Sequence, residues 1–327
     1  PEDIYHLSKL AIMEYLTSGI TANADMYLTP DTMIEASRDC GYRTTVIGAV
    51  NNFTQSVELL DEWYKKYHKK ENLINFELGF HAEYTTKKEI LEGIADLAEK
   101  YKAPVYTHNS ESESEVAQCI ERTKVTPTVY MDRLGIFNYG GGFYHCVHMT
   151  QNDLDIVKEH NISVITNPAS NLKLASGIAP IDHMLKEGIN LAIGTDGPAS
   201  NNCLDMFREM FLVTALAKYR ENDASAVDAL EVLKMATIGG AKAMNLTDCD
   251  VLAEGKEADL IMIDLNQPNM QPIHNIQKNL VYSGSKQNVK LTMVAGKILY
   301  ENGEFFIGTD AYKIYEKAND IAERIVK

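Results

Sequence analysis

Seven short runs rich in β-branched and aromatic residues, each ending on a polar or charged residue and followed by a stretch of helical period, constrain this chain more than any other feature. They are Ile20–Met26, Arg43–Val50, Asn75–His81, Pro104–His108, Phe143–His148, Ser163–Asn167 and Asn190–Asp196. Between them lie helix candidates at Pro30–Cys40, Ser56–Lys69, Lys87–Lys100, Ser112–Thr123, Asn152–His160 and Ile181–Glu187, several opened by a plausible cap residue. Alternation of this kind builds a parallel sheet, and in a chain of 327 residues the leading closed solution is an α/β fold, the (β/α)8 TIM barrel. The count is one strand short. A helix, Asp3–Ser18, opens the chain and leads straight into a strand, so the first barrel strand is expected before Pro1, where no initiator Met stands. An open doubly wound sheet is the structural alternative, but no glycine-rich GxGxxG turn follows any run.

The pattern changes after Asn201. Asn202–Tyr219 and Ser225–Met244 read as long helices, then Gly255–Asp264 and Val289–Tyr300 read as strands with no helix between them, the second turned at Gly296. The expected organisation is a barrel over residues 1–250, part of a small β-sandwich over 251–308 and a closing helix over 309–327.

Composition narrows the function classes. Hydrophobic residues at 45% and charged residues at 24% describe a globular chain, and a formal charge of −15 opposes a broad nucleic-acid footprint. No run of 18 apolar residues suggests a membrane span, and no signal-peptide layout opens the chain. Five scattered cysteines without a CxxC pair predict reduced thiols, hence a cytoplasmic protein with a small-molecule partner.

A barrel carries its chemistry at the carboxyl ends of its strands, and those ends hold His81, His108, His145 with His148, and Asp196. A lone strand-end histidine is more often structural than catalytic; four such strand ends together reverse that expectation. Neutral imidazole and carboxylate are donors that suit a catalytic zinc, so His108 and Asp196 are candidate metal ligands. Two ligands hold a metal poorly, and two further histidines are expected N-terminal to Pro1. Glu111, three residues after His108, is a candidate proton shuttle, although Ser110–Glu113 also suits the start of a helix. Asp196 before Gly197 reads in isolation as a turn pair.

Several strings now bear a family likeness: SGITANADMY, GFHAEYT, VYTHNSE, YHCVHMT, NPASNLKLASGIAP and IGTDGPASNNCLDMFREM, with EGKEADLIMID in the smaller β region. The chain resembles the amidohydrolase superfamily over nearly its whole length, and within it the 5-methylthioadenosine/S-adenosylhomocysteine deaminase group, close to the triazine hydrolases. The resemblance implies His108 and Asp196 as metal ligands, Glu111 as the acid that serves the purine ring nitrogen, and His145 as the group that orients or polarises at the reacting carbon, with His148 behind it. It also implies ribose contacts from Glu14 and His81, and a purine contact from Ser200. Where the group reads HAPYT this chain reads HAEYT, with Glu83 in place of proline, and HxxET reads HNSES. His81 stands where two-metal relatives carry a bridging lysine, which implies a single divalent metal, zinc first and iron as the alternative.

The function implied is metal-dependent hydrolytic deamination of an adenosine-type nucleoside (5-methylthioadenosine, S-adenosylhomocysteine, 5′-deoxyadenosine or adenosine) to the hypoxanthine nucleoside and ammonia. A guanine deaminase, a triazine-type chlorohydrolase and a metal-free binding protein on the same fold are the rival readings. No arginine can be assigned to the amino-acid carboxylate of S-adenosylhomocysteine. A homo-oligomer is expected because assembly is common in the group.

Overall fold

The computed structural model describes residues 2–326. Helix α1 (Glu2–Thr17) leads into strand β1 (Ala22–Met26), and the chain then alternates α2 (Pro30–Cys40), β2 (Arg43–Ile47), α3 (Val57–Tyr67), β3 (Ile74–Ala82), α4 (Lys88–Tyr101) and β4 (Val105–Asn109). It continues through α5 (Glu113–Thr123), α6 (Pro127–Asp132), β5 (Gly141–His145), α7 (Gln151–Glu159), β6 (Ile162–Thr166), α8 (Pro168–Lys173), α9 (Ile181–Lys186) and β7 (Leu191–Ile193). All seven sequence runs are strands, and they form one parallel sheet in chain order. No pairing between β1 and β7 occurs among the described residues. Yet Ala22–Met26 and Ala192–Ile193 line one cavity, so the sheet curls until its two edges face the same space.

The helices cover the outer face because their apolar residues fall on one stripe. In α4, Leu91, Ile94, Leu97 and Ala98 are buried, and they pack in one cluster with Leu60 and Trp63 of α3 and Phe76 and Leu78 of β3. Burying each such side chain contributes about 1.5–3 kcal/mol. Inside the curl a smaller cluster, Ile47, Tyr106 and Tyr144 with Met26 and Ile165, fills the space beneath the strand ends.

Of the two expected long helices, one starts later than expected and the other is interrupted. Instead of starting at Asn202, the chain makes a short turn, α10 (Pro198–Asn201), ends it with Asn202 at φ 65°, and begins α11 (Met206–Glu221) behind Asp205, whose carboxylate caps it. The segment expected as one helix from Ser225 to Met244 is α12 (Ala229–Lys234), a π turn over Met235–Gly239, and α13 (Gly240–Ala243). The backbone widens where it presses on β7: a Cβ at Gly239 would lie 2.1 Å from the Leu191 carbonyl oxygen.

Beyond residue 244 lies a four-stranded antiparallel sheet of β8 (Leu260–Ile263), β9 (Val289–Val294), β10 (Lys297–Glu301) and β11 (Glu304–Phe305). The stretch between β8 and β9 does hold helical turns, contrary to expectation: α14 (Ile276–Lys278), capped by Asn275, runs into a π turn over Asn279–Ser283. Its polar composition hides the helical period. Helix α15 (Ala311–Val326) closes the described chain and packs through Ile314 in one cluster with Leu16 of α1 and Val294 and Leu299 of the small sheet.

Candidate active site

Three histidines from neighbouring strands stand in a row at the carboxyl end of the parallel sheet. The ring centroids of His81 and His108 lie 4.9 Å apart, and those of His108 and His145 5.4 Å. Each ring is fixed by its Nδ1. The His108 Nδ1 lies 2.7 Å from the His81 carbonyl oxygen, an atom that can only accept, so Nδ1 carries the proton and the Nε2 lone pair is free. Thr85 donates its hydroxyl to the Ala82 carbonyl and therefore accepts from His81 Nδ1 at 2.9 Å. His145 Nδ1 pairs with Asn171 Oδ1 at 2.8 Å. Burial, reinforced by the charges of His145 and His81, holds His108 well below the ordinary imidazole range, and burial also lowers the pKa of His81.

His145 turns its Nε2 toward two carboxylates, 3.7 Å from Glu111 and 4.0 Å from Asp196. The backbone makes this turn at a positive φ of 71°, and Asp196 sits at 58°. Both side chains leave their strand ends in directions a regular strand does not offer. Burial opposes ionisation of Asp196, but the Ser170 hydroxyl, His145, the Gly197 N–H and the Ser200 hydroxyl together hold its pKa below the ordinary carboxylate value. Ser170 Oγ donates to Oδ2 at 2.6 Å and Gly197 N to Oδ1 at 2.6 Å.

Glu111 lies just outside α5. Ser112 is the cap, in a reciprocal box with Glu115, and the Glu115 carboxylate also accepts the N–H groups of Ser110 and Glu111 at 3.1 and 3.0 Å. The helix start and the site therefore coexist, and the Glu111 side chain stays available. It accepts from Ser176 Oγ at 3.2 Å. His148 Nε2 meets the Ser176 carbonyl at 2.8 Å, which places this histidine behind Glu111.

A cavity of about 690 Å³ opens beside these groups, a size suited to a nucleoside-sized ligand. His108, Asp196 and Ser200 line it, with Asn167, Tyr144, Asp25 and Tyr15. His81, Glu111 and His145 are held next to that lining through the contacts above. Glu14 is not brought to it: its carboxylate accepts the Leu204 N–H at 3.1 Å and lies 3.6 Å from Lys286 Nζ.

Residues that sequence reasoning assigned no role hold this arrangement: Thr85, Asn171, Ser170, Ser176 and Glu209. Glu209 is fully buried and accepts from Asn201 Nδ2 at 2.9 Å and Ala169 N at 3.0 Å, while Asn201 also donates to the Thr195 carbonyl at 2.6 Å. One carboxylate thus ties α11 to both loops that carry Ser170 and Asp196. The strings GFHAEYT, NPASNLKLASGIAP and IGTDGPASNNCLDMFREM contain these residues, so the signal was in the text without its geometry.

His108 and Asp196 are of the right kind for a divalent ion: an imidazole nitrogen freed by a carbonyl at Nδ1, and an ionised carboxylate with its oxygens oriented by neighbours. They are two donors. Among the described residues no group of three or more His, Cys, Asp or Glu is placed to hold a metal.

Residues 1–299 match the Amidohydrolase family. A 5-methylthioadenosine/S-adenosylhomocysteine deaminase of Thermoanaerobacter pseudethanolicus is 36% identical over 335 residues, covering 99% of this chain and 78% of the relative. A 5′-deoxyadenosine deaminase of Methanopyrus kandleri is 35% identical over 322 residues, covering 97% and 74%. Among solved structures, an adenosine deaminase from Xanthomonas campestris with bound zinc superposes with a TM-score of 0.93 at 32% identity, over 98% of this chain and 75% of that one.

Proposed function

Because this chain belongs to the amidohydrolase family, we propose that it hydrolyses the exocyclic amine of an adenosine-type nucleoside, adding water at C6 of the ring and releasing ammonia. The observation that carries the reading is the meeting of His145 Nε2 with the Glu111 and Asp196 carboxylates beside His108. A base, an acid and an orienting imidazole converge there on one reacting centre. Two relatives named for adenosine nucleosides and a zinc-bearing adenosine deaminase structure support it.

His108 and Asp196 would hold one divalent ion, zinc first and iron as the alternative, with other donors completing its shell. When bound, such an ion supplies water whose pKa lies near 7. Asp196, kept ionised by Ser170 and Gly197, takes the proton of the attacking water. Glu111 delivers a proton to the ring nitrogen next to C6, which lets the ring accept the incoming electron pair. His145, anchored at Nδ1 by Asn171, holds the new oxygen at C6. The proton on Asp196 then passes to the amine, the C6–N bond breaks and ammonia leaves with its electron pair, while the C6 hydroxyl returns its proton to Glu111 as the C6 carbonyl of the hypoxanthine forms. Ser200, which lines the cavity, is assigned the purine contact, and His81, beside His108, the ribose side.

The test is ammonia release from 5′-deoxyadenosine, 5-methylthioadenosine, S-adenosylhomocysteine, adenosine, guanine and cytosine, measured together with metal content. Turnover of the adenosine compounds with about one metal per chain supports the reading. Turnover of guanine alone, or none in a metal-loaded protein, overturns it.

A further inference from the structure

Glu83 is among the most enclosed carboxylates of the protein, 2% exposed, and it stands two residues after His81 at the mouth of the sheet. Its two oxygens take both terminal nitrogens of Arg122, at 3.0 and 2.8 Å, in a forked pair. Arg122 belongs to the last turn of α5, the helix whose start fixes the backbone of Glu111. The pair therefore bridges two arms of the site that the sheet itself does not join at this level.

The segment it fastens is short and fully committed. Pairing between β3 and β4 shifts register between Gly79 and Ala82, so the strand end is irregular where His81 leaves it. From that end the His81 carbonyl orients the His108 ring and the Ala82 carbonyl accepts from both Thr85 and Thr86, while Thr85 orients the His81 ring. Residues 83–85 form one turn of 3-10 helix, and Glu83 is the residue of that turn that reaches across to α5. Glu83 is also a departure from the family string, an acid where HAPYT carries proline.

We infer that Glu83 and Arg122 are a positioning pair: by fastening the turn after β3 to α5 they set where the His81 carbonyl holds the His108 ring and where the His81 ring points, relative to Glu111. The consequence for catalysis rests on the proposed deaminase reading; the consequence for the histidine rings does not. Arg122 is half exposed, so removing the charge of Glu83 leaves a cation that water can solvate, and Glu83→Gln is the clean variant. Arg122→Lys keeps the charge but loses the fork.

The experiment compares wild type, E83Q and R122K in two readouts: steady-state kcat and KM for the best adenosine substrate, and the ¹⁵N signals of the imidazole rings in histidine-labelled protein. In wild type His81 and His108 should show neutral rings protonated at Nδ1. In E83Q those signals should average or shift and kcat/KM should fall about tenfold, with R122K intermediate. Ring signals unmoved in both variants, with kcat and KM within about twofold of wild type, would overturn the inference. A wild type inert toward every nucleoside whose ring signals still move in E83Q would sink the deaminase reading and leave the positioning pair standing.

Discussion

Ser170 donates its hydroxyl to Asp196 Oδ2 at 2.6 Å, so a residue from the helical turn after β6 fixes the carboxylate that follows β7. The other oxygen is held by the adjacent Gly197 N–H. With both oxygens directed, the carboxylate has one orientation to offer an attacking water, and the buried Glu209 keeps the two loops in register by binding Ala169 and Asn201.

Replacing Ser170 with alanine should therefore lower kcat more than it raises KM. A hydrogen bond to a charged group contributes about 1.5–3 kcal/mol. If it is spent on orienting Asp196 in the transition state, kcat drops roughly tenfold to a hundredfold with KM within about threefold. Steady-state ammonia release measures both, and an unchanged kcat would mean that Asp196 needs no such holder.

Glu111→Gln keeps the shape of the side chain and its contact with Ser176 but cannot exchange a proton. Loss of a positioned acid costs about 10²–10⁴ in rate. Metal content by mass spectrometry should stay at the wild-type level, because Glu111 is assigned no place among the ligands. Retained turnover refutes the assigned role.

The parallel sheet was legible because a buried strand needs a run of β-branched residues and a cap or turn residue must follow it; Pro30–Cys40 matches its expected bounds in full and the other helices expected up to Glu187 lie within a residue or two, whereas α6 and α8 were not expected. What escaped is tertiary in origin. The π turn at Met235–Gly239 answers to the Leu191 carbonyl, which no local period records. At the site, His108, His145, Glu111 and Asp196 could be picked out as strand-end residues, but Thr85, Ser170, Ser176 and Asn171 look like ordinary turn residues until the fold sets each beside its partner. Glu14 shows the reverse: its position matched a family string, while its carboxylate is occupied by Leu204 and Lys286.

Glu77 sets a prediction for stability against pH. It is 1% exposed, its Oε1 accepts from Asn75 at 2.9 Å, and its Oε2 has no hydrogen-bond partner and lies 3.6 Å from His68 Nδ1. Burial raises its carboxyl from 4.5 to about 7. A raised value means that the folded state keeps the proton the unfolded chain would release. The stabilisation is whole below about pH 4.5 and is lost as pH rises through about 7. Glu77→Gln has nothing to release, so relative to wild type it should gain up to about 3 kcal/mol between pH 4.5 and 8 in urea unfolding. Stability curves that run parallel over that window would rule out a protonated Glu77.

One link between the parallel sheet and the small sheet is a buried ion pair, and its chemistry predicts which variants rescue which. Arg43 of β2 is 4% exposed and donates to both Asp259 oxygens, Nε at 2.6 Å and a terminal nitrogen at 3.0 Å, with Glu257 as a further partner. Asp259 has a second duty, accepting the Ala295 N–H at 2.7 Å in the turn between β9 and β10. Arg43→Met leaves a buried carboxylate without its cation, which costs about 3–5 kcal/mol. Adding Asp259→Asn removes the stranded charge and keeps an acceptor for Ala295, so the double variant should recover part of that loss. Urea unfolding of the two variants decides the matter: a double variant no more stable than Arg43→Met alone would mean that the loss comes from packing around Arg43 and not from the uncompensated charge of Asp259.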